Sequence, residues 1–196
     1  MNIIHRLCTN PIFSNVLRNI PEGWFITVKK NIKRELGNTE DKNIVDIACG
    51  TGQFSTLVKG KYTGIDLDKN HIEYAIKTYN DKNKKFIVQD ASNTGFKNRQ
   101  FDIALMLSFL HHADESNIIK VFKEAKRVTK EKIIIVDLIT PKYNLLARLM
   151  YSMDQGKYIR PFKEQERLIK KEFKINKSMI FRSGIYIHSM FVCVPH

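Results

Sequence analysis

Apolar residues along this chain fall into short runs that alternate with segments of helical spacing. Runs rich in β-branched residues predict strands at 44–48, 61–66, 85–89, 101–107 and 132–138. The segments between them predict helices at 53–59, 70–80 and 114–129, and a loop at 91–100. Because strands and helices alternate, the pattern indicates right-handed crossovers and a parallel sheet with helices on both faces.

The two ends of the chain depart from this alternation. Helical spacing predicts further helices within 11–36, broken at Pro21 and Gly23, and at 143–153 and 161–172. The first belongs to an N-terminal extension, 1–40, and the others to a helical insertion, 141–172. Two apolar runs, 174–182 and 185–194, predict a terminal antiparallel hairpin. The sequence therefore predicts one α/β domain over 1–196, with a seven-stranded and mostly parallel sheet.

The first predicted strand runs directly into a tight turn, Ala48-Cys49-Gly50-Thr51-Gly52. Two glycines one residue apart let the backbone approach a ligand closely, because no Cβ stands in the way. The helix predicted after the turn presents unpaired N–H groups. Asp66 ends the next strand, where a carboxylate can accept hydrogen bonds from both hydroxyls of a ribose. Together these features predict a nucleoside-binding half-fold.

The turn distinguishes between two kinds of nucleoside site. The nicotinamide fingerprint G-x-G-x-x-G requires a third glycine, and Ser55 occupies that position. The string instead resembles motif I of the class I S-adenosylmethionine-dependent methyltransferases, an acid followed by G-x-G-x-G. Asp46 matches the acid, and Gly50 and Gly52 match the last two glycines. Ala48 replaces the first glycine, an exchange that is tolerated if φ is negative there.

The resemblance extends over roughly residues 40–140. Leu67 matches the apolar residue that packs on the adenine, and Gln89-Asp90 matches the third strand's end, which also speaks against a nicotinamide oxidoreductase. The string Ser108-Phe109-Leu110-His111-His112 resembles the substrate-side loop after the fourth strand. The resemblance implies a Rossmann-like doubly wound fold and S-adenosylmethionine as cofactor. The implied cofactor contacts are Asp46, Ala48, Cys49, Gly50, Gly52, Asp66, Leu67, Asp90, Ala91 and Ser108.

Methyl transfer from a sulfonium depends mainly on in-line alignment, and a general base helps only when the acceptor loses a proton. His111 and His112 are the candidate bases, with packing and backbone hydrogen bonding as the alternative, and the sequence does not distinguish between the two residues. Asp137 is a second candidate, with a helix cap or a structural salt bridge as its alternative. Cys49 lacks the Pro-Cys context of a cytosine-5 nucleophile and is interpreted as a small residue beside the cofactor. No ligand spacing predicts a metal.

Two segments bear on the methyl acceptor. The apolar helix at 143–153 predicts either a lid over an apolar acceptor or a helix that packs on the sheet. Tyr158 and Arg160 lie where they could reach the acceptor, and Trp24-Phe25 could close over the cofactor or anchor a helix. We expect a small-molecule or lipid-like acceptor. An RNA or protein methyltransferase and a non-catalytic nucleoside-binding module stay open as alternatives.

Charge is the main compositional feature. The 196 residues contain 33 Lys and Arg against 20 Asp and Glu, a formal net charge of +13. An anionic partner such as nucleic acid is one interpretation. We favour a compositional bias spread over solvated helix faces. A denser basic cluster, with Glu164, Glu166 and Glu172 as its counter-charges, comprises Lys157, Arg160, Lys163, Arg167, Lys170, Lys171, Lys174 and Lys177.

The remaining composition describes an ordinary globular chain. Its length suffices for one substantial core. No apolar run approaches the ~20 residues of a membrane-spanning helix, and Met1–Asn10 contains no signal-peptide core. Cys8, Cys49 and Cys193 are far apart in sequence and predict free thiols in a reducing compartment. We expect a cytoplasmic protein, and the sequence does not indicate its oligomeric state.

Overall fold

The computed structural model describes residues 25–79, 81–140 and 157–195. In this part of the chain seven strands form one sheet in the order β3-β2-β1-β4-β5-β7-β6. The strands are β1 Asn43–Ile47, β2 Lys61–Asp66, β3 Lys84–Val88, β4 Phe101–Leu107, β5 Thr129–Leu138, β6 Phe173–Ser183 and β7 Tyr186–Pro195. The first five are parallel, and β7 pairs antiparallel with both β5 and β6. The predicted sheet and its terminal hairpin are confirmed.

Within the described residues, four α-helices and two short 3₁₀ helices accompany the sheet. They are α1 Ile26–Leu36, α2 Lys69–Thr78, α3 Glu115–Val128, α4 Phe162–Ile169, and the 3₁₀ helices Gln53–Leu57 and Leu110–His112. Among these helices, none combines the length and apolar character that crossing a bilayer demands. The helix predicted at 143–153, residue Trp24 and most of the N-terminal extension lie outside the described residues.

Two predicted elements differ from the structure for local reasons. The helix predicted at 53–59 is only a five-residue 3₁₀ helix, because it starts after Gly52 in the left-handed region and ends where Val58 is extended. Strand β5 begins at Thr129, three residues earlier than predicted. Its first residues include the charged Lys130 and Glu131, which form ion pairs with Asp102 and Lys42. The run of apolar residues therefore begins later than the strand does.

The sheet is buried on both faces, which explains its runs of apolar residues. In β5, Ile133 and Ile135 pack into one core cluster with α3, while Ile134 and Val136 pack into the other with α1 and α2. Helix α3 contributes a stripe of buried residues at helical spacing, Ile118, Val121, Phe122 and Ala125. All three layers therefore fix the strand ends in place.

Aspartates start the helices that follow the site strands. Asp68 caps α2 by accepting from Asn70 N at 2.8 Å, and Asp114 caps α3 by accepting from Asn117 N at 2.9 Å. Such a cap is typically worth about 1 kcal/mol. Each cap fixes where the chain leaves the carboxyl edge of the sheet.

Candidate active site

Strands β1 and β4 form the switch point of the sheet. They are neighbours, yet β1 leads to β2 on one side and β4 leads to β5 on the other, an arrangement that opens a ligand crevice beyond their carboxyl ends. The residues just after these strands, Ala48 and Ser108, have φ of 59° and 60°. The condition under which Ala48 was thought to be tolerated, a negative φ, is therefore not met. The backbone bends sharply there, so that Cys49 N donates to Ile65 O of β2, and a left-handed alanine costs about 1–2 kcal/mol.

Asp66 holds the glycine turn against the end of β2. Its Oδ2 accepts from Gly50 N at 2.8 Å, and its Oδ1 accepts from Asp68 N at 2.9 Å. Each carboxylate oxygen has two lone-pair sites, so each can accept one further hydrogen bond. The neighbouring Leu67 is 70% exposed. The carboxylate and the apolar residue predicted for ribose and adenine thus lie at the same edge as the turn.

The glycines of the turn face different surroundings. A Cβ at Gly50 would meet no atom of the described residues within 4 Å, whereas a Cβ at Gly52 would lie 2.6 Å from Phe86. Gly50 therefore borders open space, and Gly52 packs on the core. The Cys49 side chain is also buried in the core, and burial raises the pKa of its thiol well above the ordinary value. A thiolate nucleophile is not present at this position.

Asp46 lies fully buried beneath the turn. Its Oδ2 accepts from Tyr62 OH at 2.6 Å, and its Oδ1 has no hydrogen-bond partner among the described residues. Burial, reinforced by the charge of Asp66, raises the Asp46 pKa to about 7 against the opposing Tyr62 hydrogen bond. Burying an oxygen that accepts no hydrogen bond costs free energy of folding. A ligand that brings a cationic amino group, as S-adenosylmethionine does, fits this oxygen.

The end of β3 lies beside Asp66. Gln89 N donates to the Asp66 carbonyl at 2.9 Å. The next residue, Asp90, is exposed, and its carboxylate accepts from Ser92 N at 2.7 Å. Asp90 and Ala91 therefore stand at the same edge as the other predicted cofactor contacts.

A buried ionic network holds the loop that follows. Glu124 on α3 accepts from Thr94 N at 2.8 Å, and Arg127 donates to Glu124 and to the Phe96 carbonyl. The Arg127 guanidinium, followed by the Thr94 hydrogen bonds, lowers the Glu124 pKa to about 2 despite its burial. Sequence reasoning missed this network, because Glu124 and Arg127 are spaced like an ordinary helix-surface ion pair.

His111 and Asp137 form a buried pair at the ends of β4 and β5. The His111 side chain is 1% exposed, and its Nδ1 lies 2.6 Å from Asp137 Oδ1. The carboxylate also accepts from Leu110 N at 2.6 Å and from Leu138 N at 2.7 Å. Burial alone would raise the Asp137 pKa, but His111 and the two N–H donors hold it below its ordinary value. Asp137 is therefore ionised and fully engaged, and it is not placed to act as a base itself.

The structure separates the two candidate bases. His112 is exposed, whereas His111 is buried. Their rings are in contact, with centroids 4.0 Å apart and planes at 44°. Of the two imidazoles, His112 is the one that solvent, and hence an acceptor, can reach.

Arg160, for which the sequence left contact with the acceptor open, binds the turn that follows β4. It is 7% exposed, and its guanidinium donates to Leu110 O at 2.7 Å and to Ala113 O at 2.9 Å. Tyr158 N donates to His111 O at 3.0 Å, and Tyr158 itself is 41% exposed. The sequence carried no signal for these contacts, which join residues about 50 positions apart.

The basic cluster is extensively paired. Arg167 and Lys171 both bind Glu115, and Lys177 binds Glu35, acids that lie far away in the sequence. The cluster therefore has more counter-charges than the three that its own segment supplies. Within the described residues, no group of His, Cys, Asp and Glu has the arrangement of a metal site.

Comparison with known proteins agrees with this geometry. A family model described as a methyltransferase domain matches residues 44–132. The demethylmenaquinone methyltransferase of Thermotoga maritima is 30% identical over 132 residues, covering 63% of this chain and 56% of that protein. The chain spans about half the length of the curated relatives it matches.

Solved structures share the fold. A methyltransferase from Methanosarcina mazei that depends on S-adenosylmethionine has a TM-score of 0.70 at 23% identity, covering 84% of this chain and 97% of that one. Geranyl diphosphate C-methyltransferase from Streptomyces coelicolor has a TM-score of 0.71 at 11% identity, covering 87% and 80%. The match of residues 44–132 to a methyltransferase domain supports the resemblance to the class I S-adenosylmethionine-dependent methyltransferases. The predicted fold is thereby confirmed, and the methyltransferase-domain match supports the predicted family and cofactor.

The role of Asp66 can be tested directly. Asp66→Ala removes the charged acceptor for the ribose hydroxyls, a loss of about 1.5–3 kcal/mol, or on the order of 10–100-fold in affinity. Calorimetric titration with S-adenosylmethionine measures the change. Asp81→Ala is the matched control, because Asp81 also accepts from a backbone N–H two residues later but precedes β3, away from the glycine turn. Unchanged affinity in folded Asp66→Ala would contradict the ribose role.

Proposed function

We propose that this methyltransferase transfers a methyl group from S-adenosylmethionine to a small-molecule or lipid-like acceptor. The observation that carries the proposal is the edge formed by β1, β2 and β4. There the open space at Gly50, the Asp66 carboxylate and the unpartnered Asp46 oxygen lie near the turn that presents His112. The names of one relative and one structural neighbour, a demethylmenaquinone methyltransferase and a geranyl diphosphate C-methyltransferase, support a small, lipid-like acceptor.

The cofactor would be held by residues with separate tasks. Asp66 would accept from the ribose hydroxyls, Leu67 would cover the adenine, and the free oxygen of Asp46 would receive the amino group. When bound, the cofactor supplies an electrophilic methyl carbon on a sulfonium. The remaining proposed contacts along this edge are Ala48, Cys49, Gly50, Gly52, Asp90, Ala91 and Ser108, with Cys49 contributing through its backbone.

We further propose that His112 takes the proton when the acceptor must lose one. An imidazole is well suited to this near neutral pH, and of the two histidines His112 is the exposed one. Such a base typically contributes about 10²–10⁴-fold. The insertion 141–172, of which residues 157–172 are described, would shape the acceptor pocket on this side.

The acceptor class is tested by incubating the protein with isotope-labelled S-adenosylmethionine and separated cell-extract fractions. Mass spectrometry should find the label in a compound of the small-molecule or lipid fraction, and Asp66→Ala should reduce the incorporation. Label found only in the RNA or protein fraction would overturn the proposed acceptor. Cofactor binding without transfer to any fraction would favour a non-catalytic module, and tighter binding of NAD than of S-adenosylmethionine would favour an oxidoreductase.

Cofactor affinity should depend on pH through Asp46. Its raised folded pKa of about 7 means that the carboxyl gains a proton as the pH falls below 7. A contact with a cationic amino group needs the charged form, so affinity should fall about tenfold for each pH unit well below 7. Titrations between about pH 5.5 and 8 measure this, and Asp46→Asn should bind weakly at every pH. An unchanged dependence in Asp46→Asn would exclude Asp46 as its source.

The RNA alternative rests on the basic cluster and makes a distinct salt-dependence prediction. About six phosphate contacts would give a log–log slope near −4 for single strands, at ~0.7 per contact. Because Arg167, Lys171 and Lys177 are already ion-paired, we expect weak binding that disappears at physiological salt. Submicromolar RNA affinity at about 150 mM salt, abolished by changing Lys163, Lys170 and Lys171 to Glu, would favour the RNA enzyme instead.

A further inference from the structure

We infer that Arg160 is a positioning residue, which fixes the turn that presents His112 to the acceptor. The inference rests on the proposed function of the His112 side. The turn, Leu110–His112, directly follows β4 at the switch point. It is a single turn of 3₁₀ helix, whose own backbone hydrogen bonds are those from His112 N to Phe109 O and from Ala113 N to Leu110 O, at 3.0 and 3.4 Å. Its geometry must therefore come from contacts with other parts of the chain.

Residues 157–160 supply those contacts on one side of the turn. The Arg160 guanidinium donates to the carbonyls of Leu110 and Ala113, and Tyr158 N donates to the carbonyl of His111. On the other side, Asp137 binds Leu110 N and the His111 ring. The turn is thus held between Asp137 of β5 and residues 157–160 of the insertion. These contacts together form a clamp on the turn.

The residues on both sides of His112 are held by this clamp. The carbonyls of both its neighbours, His111 and Ala113, are bound to the 157–160 segment. A shift of the clamp would move the His112 Cα and change where the imidazole points. Misplacement of a reacting group by 1 Å can cost on the order of 10²-fold in rate.

The guanidinium is specifically suited to this task. Its planar fork reaches two turn carbonyls at once, and its Nη1 also donates to Tyr158 O at 3.0 Å. Glu164 balances the charge at 3.5 Å. A lysine ammonium is a compact point charge without the fork, so Lys cannot reproduce this geometry although it preserves the charge.

The test compares Arg160→Lys with Arg167→Lys, an equivalent exchange at an exposed arginine of the same segment. The first readout is the ¹⁵N-histidine NMR spectrum of each protein bound to S-adenosylhomocysteine. The proton between His111 and Asp137 is identified by its loss in Asp137→Asn. In Arg160→Lys we expect altered His112 resonances and at least about tenfold faster solvent exchange of that proton, with S-adenosylhomocysteine affinity within about twofold of wild type. Arg167→Lys should match wild type.

The second readout is methyl transfer from labelled cofactor into the small-molecule extract fraction, which should fall about 10²-fold in Arg160→Lys. Unchanged His112 resonances and proton exchange would overturn the inference, even if Arg160→Lys lowered the unfolding midpoint. Loss of S-adenosylhomocysteine binding comparable to that of Asp66→Ala would also overturn it, because Arg160 would then serve the cofactor side. If wild type transfers no label, the proposed function fails, and the NMR result still decides whether the clamp exists.

Discussion

Gly50→Val is expected to abolish S-adenosylmethionine binding while the protein remains folded. A side chain at this position meets no atom of the described residues within 4 Å, so the folded protein has room for it. That room is where the turn, Asp66 and Asp46 converge, and a valine would fill it. We expect affinity to fall by about 100-fold or more, equivalent to at least about 2.7 kcal/mol. Calorimetric titration measures the loss.

Backbone strain is separated from ligand exclusion by a matched variant. Gly37 ends α1, has φ of 68° against 53° at Gly50, and also has no neighbour within 4 Å among the described residues. Gly37→Val should lose at least as much stability in urea unfolding, because φ of 68° with ψ of −146° lies in a region that residues other than glycine rarely adopt. It should keep full cofactor affinity. Equal loss of affinity in both variants would show that strain, rather than occupation of the site, caused it.

The features that the sequence predicted well are those encoded locally. The glycine turn, Asp66 and the alternation of apolar runs with helical segments lie within short windows, and a parallel sheet then follows from general rules of chain connection. The run Ile133-Ile134-Ile135-Val136 indicated burial on both faces, and all four residues are buried. Short windows of sequence are therefore sufficient to predict the fold and the edge of the sheet that we propose as the cofactor site.

The features that were missed depend on contacts between distant residues. Arg160 belongs in sequence to the basic cluster, and only the fold brings it under Leu110 and Ala113. The same is true of Glu115, which neutralises Arg167 and Lys171. The left-handed φ of Ala48 was missed because alanine normally avoids that region, and only the path of the turn toward β2 requires it.

The sequence identified two candidate bases, His111 and His112, but did not distinguish between them. The His-His pair and Asp137 were identified as chemistry at the ends of adjacent strands. The different surroundings of the two histidines were not predicted, because two consecutive histidines look equivalent in a sequence. Burial separates them, because the buried ring of His111 binds Asp137 whereas His112 is exposed. The buried pair of His111 and Asp137 is consequently a structural element, and we expect its removal to lower the stability of the protein substantially.

Asp137→Ala is expected to destabilise the protein by about 3–5 kcal/mol, since it leaves His111 and the N–H groups of Leu110 and Leu138 buried without their acceptor. Urea unfolding at neutral pH measures the change. Asp102→Ala is the control. Asp102 on β4 also accepts from a backbone N–H and from a basic side chain, but the Lys130 of its pair is exposed. We expect Asp102→Ala to cost no more than about 1.5 kcal/mol.

The pH dependence of the Asp137→Ala effect follows from the lowered pKa of the carboxyl. A group whose folded pKa lies below its unfolded value of 3.8 stabilises the protein fully above that value. This contribution is lost as the pH falls below about 4 and through the folded pKa, because the carboxyl then gains a proton in the folded state too. The stability difference between wild type and Asp137→Ala should therefore be largest near neutral pH and shrink in acid. A difference that stays constant from about pH 7 to 3 would mean that lost packing, rather than lost charge, explains the destabilisation.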